Sequence, residues 1–479
     1  MNRELKRVST VILIMFVALL CSTTTISVLQ VDNLRADGRN VRTLYDSYSA
    51  ERGPILVAGK PIAQSKAADD QYKFQRVYTD PELYAAVTGY FTLNQGTTGI
   101  EGALNDYLSG TANDQFLAQV NAILTGQNPK GAAVELTIDP VVQKAAWDAL
   151  GANQGAVVAL NPKTGAILAM VSKPSFDPNV LASHTTVNVI SAYNKLLADP
   201  TSPLINRAIS GDLYHPGSVF KLVVASAAID SGLFTPESTF PNPSSLQLPL
   251  STSVITNSGG GTCGPGDKVT IADALRLSCN IPFAEIGEAI GQDQLHKYAT
   301  LYGFGTKLAI PMDVTPSSIP SSLDAPQLML SSFGQANVRV TPLQIAMVSA
   351  GIANGGVVMQ PTLIKSITAP DLSVIQQFQP TVFGAPITPQ SSATLTQLMV
   401  NNVNNGAASN GRISGVDVAG KTGTAQNGAG RPLTLWFTGF APAHDPQIAV
   451  AVVVENGTSF GNAVAAPIAR KVIEAVLNK

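Results

Sequence analysis

Charge is scarce in this sequence. Asp, Glu, Lys and Arg together make up 13% of its 479 residues, and the net charge is −2. No block of basic residues interleaved with aromatics occurs, so the electrostatic footprint of a nucleic-acid partner is missing and none is expected. Cysteine is sparser still: Cys21, Cys263 and Cys279 are too few for a disulfide framework. His184, His215, His296 and His444 stand far apart, without ligand spacing, so neither a metal nor a cofactor is expected. A Ser-His-Asp hydrolase is not expected. No internal repeat is evident.

Long apolar runs are missing too, with one exception at the N-terminus. Arg3, Lys6 and Arg7 precede an uncharged stretch from Val8 to Leu29 that opens VSTVILIMFVALLC. About 22 residues at roughly 1.5 Å each span the hydrocarbon core of a bilayer. Its second half, CSTTTISVL, is rich in Thr and Ser. Basic residues before the run, and Asp32 and Asp37 after it, place residues 1–7 in the cytoplasm and the main chain outside the membrane. No A-x-A-like site follows the apolar core, and Leu19-Leu20 precede Cys21, so an uncleaved anchor over 8–29 is expected. In an exported part, Cys263 and Cys279 either pair or remain two buried thiols. A bridge closing a loop of that length stabilises by about 3 kcal/mol.

A chain of this length holds two or three domains. Residues 31–150 are expected to form a smaller N-terminal domain and residues 151–479 the main one. In the first part RGPIL (52–56) and GTTGIEGALNDYLSGT (96–111) stand out. QVNAILTGQNPKGA (119–132), with its Gly and Pro, reads as a linker. LTIDPVVQKAAWDAL predicts a helix from Pro140, capped by Asp139 with proline at the first helical position. From Gly155 the apolar runs VVAL and AILAMV flank NPKTG and predict a β-hairpin. Near the C-terminus LTLWFTGFAP and QIAVAVVVENG predict two strands, followed by a helix over APIARKVIEAVL. Strands at both ends with helices between them predict an α+β domain whose sheet gathers distant segments. The Ser/Gly/Pro-rich piece from Pro241 to Gly266 predicts a long loop.

One short string points in two directions. GVDVAGKT (415–422) matches the phosphate-loop pattern G-x-x-x-x-G-K-[ST]. Such a loop must curl after a strand and open a helix. Here Val416-Asp417-Val418 alternate as a strand does, and GTAQNGAGRP is too rich in Gly and Pro to start a helix at Thr422. The alternation predicts Val416 and Val418 on the buried face of that strand. The overlapping word Lys421-Thr422-Gly423-Thr424 is the alternative, the third motif of serine acyl-transferases that also carry S-x-x-K and S-x-N. A single S-x-x-K occurs, Ser218-Val219-Phe220-Lys221, at the head of a continuously apolar helix that Gly232 ends. Lys221 lies one turn from Ser218 on the same helical face. An apolar setting lowers its pKa and suits it to take the serine proton. The helix N-terminus favours negative charge developing at Ser218. Ser278-Cys279-Asn280 follows, between two amphipathic helices. A second K-T-G at Lys163 precedes Ser218 in a hairpin turn, so order and strand context select Lys421.

With these motifs in order, the chain resembles the class B penicillin-binding proteins, most closely the compact actinobacterial type, over nearly its whole length. RGPIL, GTTGIEGALNDYLSGT, LTIDPVVQKAA, GAVVALNPKTGAILAMVSKPSFDPN, NRAISGDLYHPGSVFK, FGQANVRVTPLQIAMVSAGIANGG and AGKTGTAQ carry the resemblance. It implies a penicillin-recognising fold, an antiparallel sheet with helices on both sides, behind a non-catalytic pedestal and one membrane helix. The implied activity is a peptidoglycan D,D-transpeptidase in cell-wall synthesis, with division as one setting and other cell-wall proteins as partners. Ser218 would attack the terminal D-Ala-D-Ala bond of a stem peptide, Lys221 would accept its proton, and Ser278 would relay a proton to the leaving D-alanine. Asn280 would hold the stem's amide, and Lys421, Thr422, Gly423 and Thr424 would bind the terminal carboxylate. The N–H groups of Ser218 and Thr424 would form the oxyanion hole. β-Lactams would acylate Ser218. The chain departs from the family pattern in RGPILVAGKPIA, which lacks the charged residues the family often shows after R-G-x-I, in its short region before the main domain, and in Cys279 within S-x-N, a departure that favours its pairing with Cys263. A D,D-carboxypeptidase, a β-lactamase and an acylated protein without turnover are the rival readings.

Overall fold

The computed structural model describes residues 2–26, 30, 50–115 and 130–478. Helix α1 (Asn2–Thr24) is exposed along its length. The stretch Arg3–Thr24 is long and apolar enough to cross a membrane, with a mean hydropathy of 2.0. The helix starts before the apolar run, so its first turns carry the basic residues Arg3, Lys6 and Arg7. Its hydroxyl-rich half remains compatible with lipid because the side chains bond back to the helix. Thr23 Oγ1 donates to the Leu19 carbonyl, and Thr25 Oγ1 to the Cys21 carbonyl at 2.8 Å. The expected anchor residues 27–29, and most of the expected linker (119–129), lie outside the described residues.

The strands run β1 (Ile55–Val57), β2 (Lys60–Ala67), β3 (Phe74–Tyr78), β4 (Ala133–Leu136), β5 (Gly155–Leu160), β6 (Ile167–Lys173), β7 (Ile364–Thr368), β8 (Val374–Gln377), β9 (Ala419–Ala425), β10 (Leu433–Ala441) and β11 (Ile448–Gly457). They form a six-stranded sheet of order β8-β7-β4-β1-β2-β3 and a five-stranded sheet of order β9-β10-β11-β5-β6. All pairings of the five-stranded sheet are antiparallel, as expected. In the other sheet only β1 and β4 run parallel. That sheet takes β7 and β8 from far along the chain, and local pattern gives no hint of this crossover.

The helices that frame the two motif-bearing segments and the five-stranded sheet are α2 (Pro140–Leu150), α3 (Lys221–Asp230), α4 (Ile271–Leu277), α5 (Ile281–Leu301), α6 (Pro342–Ala353), α7 (Pro389–Asn405) and α8 (Gly461–Leu477). Helix α2 begins as predicted: Asp139 Oδ1 accepts from the N–H groups of Val141 and Val142 at 2.9 and 3.1 Å. The five-stranded sheet is covered on both faces, which explains its unbroken apolar strands. Ala156 and Val158 of β5 and Ala451 and Val453 of β11 join the apolar cluster that contains α3 and α6. Val157, Ala159, Val450 and Val452 face the opposite way, against Val142 and Ala146 of α2 and Ala465, Ala469 and Val472 of α8. Helix α2, which lies before residue 151, therefore packs on the five-stranded sheet.

The two N-terminal segments that stood out in the sequence meet inside the molecule. Arg52 of RGPIL and Arg76 of β3 each donate from Nε to the Glu101 carboxylate at 2.6 Å. All three side chains are almost wholly buried. Arg52 also donates to Asn105 Oδ1 and to the Glu101 carbonyl, at 2.9 and 2.6 Å. Buried charges persist only where they are paired and hydrogen-bonded in this way. Several side-chain amides staple this part to the rest. Gln143, for example, donates to the Leu83 and Met170 carbonyls at 2.9 Å.

Candidate active site

Ser218 sits in a 3-10 turn, Gly217–Phe220, and α3 starts only at Lys221. The expected single helix is thus two pieces. Gly217, at φ 54°, makes the entry. The helix is buried all round because every side from Lys221 to Ala228 meets core. Lys221 has no solvent exposure.

Ser278 caps α4 in the left-handed region, φ 63° and ψ 37°, and Asn280 caps α5. The expected helix corner is present. The long loop upstream holds it in place: Asn257 Oδ1 accepts from the N–H groups of Asn280 and Ile281 at 2.9 and 3.0 Å. That loop also carries short strands at Ser245–Gln247 and Val254–Thr256. Cys263 and Cys279 are bridged, with Cα atoms 5.8 Å apart, so the pairing alternative holds and the thiol alternative does not. The bridge ties the loop to the residue between Ser278 and Asn280.

Lys421, Thr422, Gly423 and Thr424 occupy the middle of β9, an edge strand. Because the strand runs straight through Thr422, no phosphate loop exists here. The strand starts at Ala419, later than the alternation suggested. Val418 is buried just before it, but Val416 is only partly buried and closes a turn with Ile413. Positive φ at Gly415, 75°, bends the chain there and overrides the alternating pattern.

The three motifs converge. Lys421 Nζ donates to Ser278 Oγ at 2.6 Å and to the Thr422 carbonyl at 2.8 Å. Lys221 Nζ donates to the Ser278 carbonyl at 2.8 Å and to Asn280 Oδ1 at 2.9 Å. Asn280 Nδ2 in turn donates to the Thr256 carbonyl at 3.0 Å, so both ends of this amide are occupied. Thr422 Oγ1 donates to the Ala407 carbonyl at 3.1 Å, and Thr424 Oγ1 accepts from the Gly461 N–H at 3.1 Å. The serine turn lies directly against β9: a Cβ added to Gly423 would stand 2.9 Å from the Pro216 carbonyl oxygen. The Ser218 hydroxyl is not among the partners of Lys221 in this arrangement.

The electrostatics follow from burial. Removal from water pushes the Lys221 amine well below the usual lysine range, and the Lys421 ammonium pushes it further. Burial alone brings Lys421 down to about 7. A neutral lysine has two N–H donors and one lone pair. Both donors of a neutral Lys221 are used by Ser278 and Asn280, which leaves the lone pair free to accept a proton.

Residues outside the predicted set complete the surroundings. Trp436 Nε1 donates to the His215 carbonyl at 3.0 Å, and the Gly217 N–H to the Gly334 carbonyl at 2.9 Å. Arg339 donates to His215 Nδ1 at 2.7 Å, which requires that ring nitrogen to be unprotonated. The stretches YHPGS, WFTGF and FGQANVRV were visible as sequence, but these contacts join segments that are far apart in the chain.

Comparison with known proteins agrees with this geometry. Residues 155–474 match the family model described as penicillin binding protein transpeptidase domain, and residues 52–134 match the penicillin binding protein A dimerisation domain. The chain is 43% identical to the peptidoglycan D,D-transpeptidase PbpA of Mycolicibacterium smegmatis, with 100% of both chains covered. It is 41% identical to the protein of the same name from Mycobacterium tuberculosis, covering 100% of this chain and 99% of that one. The imipenem acyl-enzyme complex of penicillin-binding protein A from M. tuberculosis superposes with a TM-score of 0.86 at 41% identity, covering 90% of this chain and 100% of that one. On the strength of a transpeptidase model matching most of its length and of these full-length relatives, the chain belongs to the class B penicillin-binding protein transpeptidases.

Proposed function

We propose that this chain is a serine-type peptidoglycan D,D-transpeptidase, anchored by α1 with its N-terminus in the cytoplasm and its catalytic domain outside the membrane. The observation that carries the reading is the buried chain of bonds from Lys421 through Ser278 to Lys221 and Asn280, set beside the Ser218 turn. Ser218 Oγ attacks the carbonyl of the penultimate D-alanine, and its proton passes to the Lys221 lone pair. The tetrahedral oxyanion is held by the backbone N–H groups of Ser218 and Thr424, a preorganised term that is often the largest in acyl transfer. The C–N bond then breaks, and the leaving D-alanine nitrogen receives a proton through Ser278. Lys421, with Thr422, Gly423 and Thr424, receives the terminal carboxylate, and Asn280 borders the stem's amide. An amine of a second stem attacks the acyl-enzyme, forming the cross-link and releasing Ser218. A β-lactam acylates Ser218 by opening its ring, without a departing amine.

Residues 151–479 carry this chemistry, and residues 31–150 act as the pedestal between it and the membrane. Other proteins of cell-wall synthesis or division are the expected partners. The test is a fluorescent penicillin applied to the membrane-bound protein and to Ser218→Ala. A stable label on the first and none on the second is expected. Label on the variant, or rapid loss of label from the unaltered protein, overturns the reading in favour of another nucleophile or of a hydrolase.

A further inference from the structure

Glu455, near the end of β11, is hydrogen-bonded through both carboxylate oxygens. Its Oε1 accepts from the Tyr214 hydroxyl at 2.5 Å and from Arg207 Nε at 3.0 Å. Its Oε2 accepts from Gln154 Nε2 at 2.5 Å. Arg207 is 5% exposed and its other nitrogens donate to the Ser202 and Thr201 carbonyls, at 3.1 and 2.5 Å. The carboxylate is thus fixed from three sides.

Its link to the nucleophile is short. Tyr214 stands four residues before Ser218, in a stretch without helix or strand of its own beyond a single bridge to Val340. The Tyr214 ring meets the Trp436 indole edge-on, with centroids 5.8 Å apart. Trp436 donates to the His215 carbonyl at 3.0 Å and pairs in register with Gly423 of β9. A Cβ on Gly217 would lie 3.1 Å from the Thr424 carbonyl, so the serine turn and β9 are in contact without slack. The position of the turn against that strand therefore depends on how Tyr214 is held.

We propose that Glu455 is a positioning residue for acyl transfer: through Tyr214 and Trp436 it fixes the Tyr214–Gly217 segment, and with it Ser218, against the Gly423–Thr424 edge of β9. This rests on Ser218 being the nucleophile. A misplacement of about 1 Å at a reacting centre costs up to roughly 100-fold in rate. A group acting only in this way slows the chemical step and leaves ground-state binding alone.

The experiment separates pre-covalent binding of a penicillin from the rate of acylation, in the full-length protein, by rapid-mixing kinetics. Tyr214→Phe, which removes only the hydroxyl, and Glu455→Gln are each expected to slow acylation about tenfold while the pre-covalent Kd stays within about twofold. The double variant is expected to be no slower than the worse single one, because both act on one path. Acylation within about twofold of the unaltered protein in a folded Tyr214→Phe overturns the proposal, as does a loss that appears only in Kd or that multiplies in the double variant. If Glu455→Gln does not fold, Tyr214→Phe decides alone. Failure of the unaltered protein to be acylated at all would instead remove the nucleophile reading, and the proposal with it.

Discussion

Lys221 and Lys421 share one buried site, yet their surroundings suit them to opposite charge states. Lys221 works as a base only when neutral, and burial beside a second lysine pushes it well below the ordinary range. Arginine cannot take that role because it stays protonated. Lys221→Arg and Lys221→Ala are therefore both expected to slow β-lactam acylation by about 100-fold or more, read by labelling rate. Recovery of activity in the arginine variant would argue against the base role. Lys421 must be charged to attract a carboxylate, and burial brings its ammonium down to about 7. Binding draws on the protonated form, so pre-covalent affinity for a carboxylate-bearing β-lactam should be flat below pH 7. Above it, affinity should fall by about tenfold per pH unit. A Kd that does not change between acid and alkaline pH would contradict this assignment.

Among the elements, β9 shows how a short word acquires meaning from its place. As an edge strand it leaves one side open, and its glycine lets another backbone approach. An added Cβ at Gly423 would meet the Pro216 carbonyl oxygen at 2.9 Å and Trp436 Cβ at 3.1 Å. Gly423→Ala is thus expected to push the serine turn outward and slow acylation by about 100-fold, with a smaller effect on thermal stability. Unchanged acylation in that variant would mean the turn has room to adjust. Most element types were legible in advance. The hairpin at Gly155, the paired strands near the C-terminus and the capped helix at Pro140 all follow from local periodicity and turn chemistry. The start of β9 was not, because alternation in Val416-Asp417-Val418 says nothing about the bend that Gly415 imposes. Nor was the break between the Ser218 turn and α3, since both pieces are equally apolar.

At the scale of the whole molecule, the N-terminal and main parts share secondary structure rather than merely touching. Strands β7 and β8 complete the six-stranded sheet, and α2 packs with α8 on the five-stranded one. The Arg52–Glu101–Arg76 group lies at the heart of the N-terminal part. Removal of its central carboxylate would leave two buried guanidinium groups against each other. Glu101→Ala is expected to destabilise by about 3–5 kcal/mol, seen as a lowered midpoint of denaturant unfolding. A change below about 1 kcal/mol would mean that water replaces the carboxylate readily.

The sequence alone determined what is local. The apolar N-terminal helix, the apolar segment that follows Ser218, the strand bearing Lys421 and the order of the three motifs all rest on spacing within a few turns or residues. The tertiary structure alone decided which of these groups touch. Lys421 reaches Ser278 across 143 positions and Arg52 reaches Glu101 across 49. The closure of Cys263 onto Cys279 was one of two options until the loop's path was known. The physical reason is that periodicity records which face of an element is buried. The partner on that face is chosen by packing and polar satisfaction across segments that carry no common local signal.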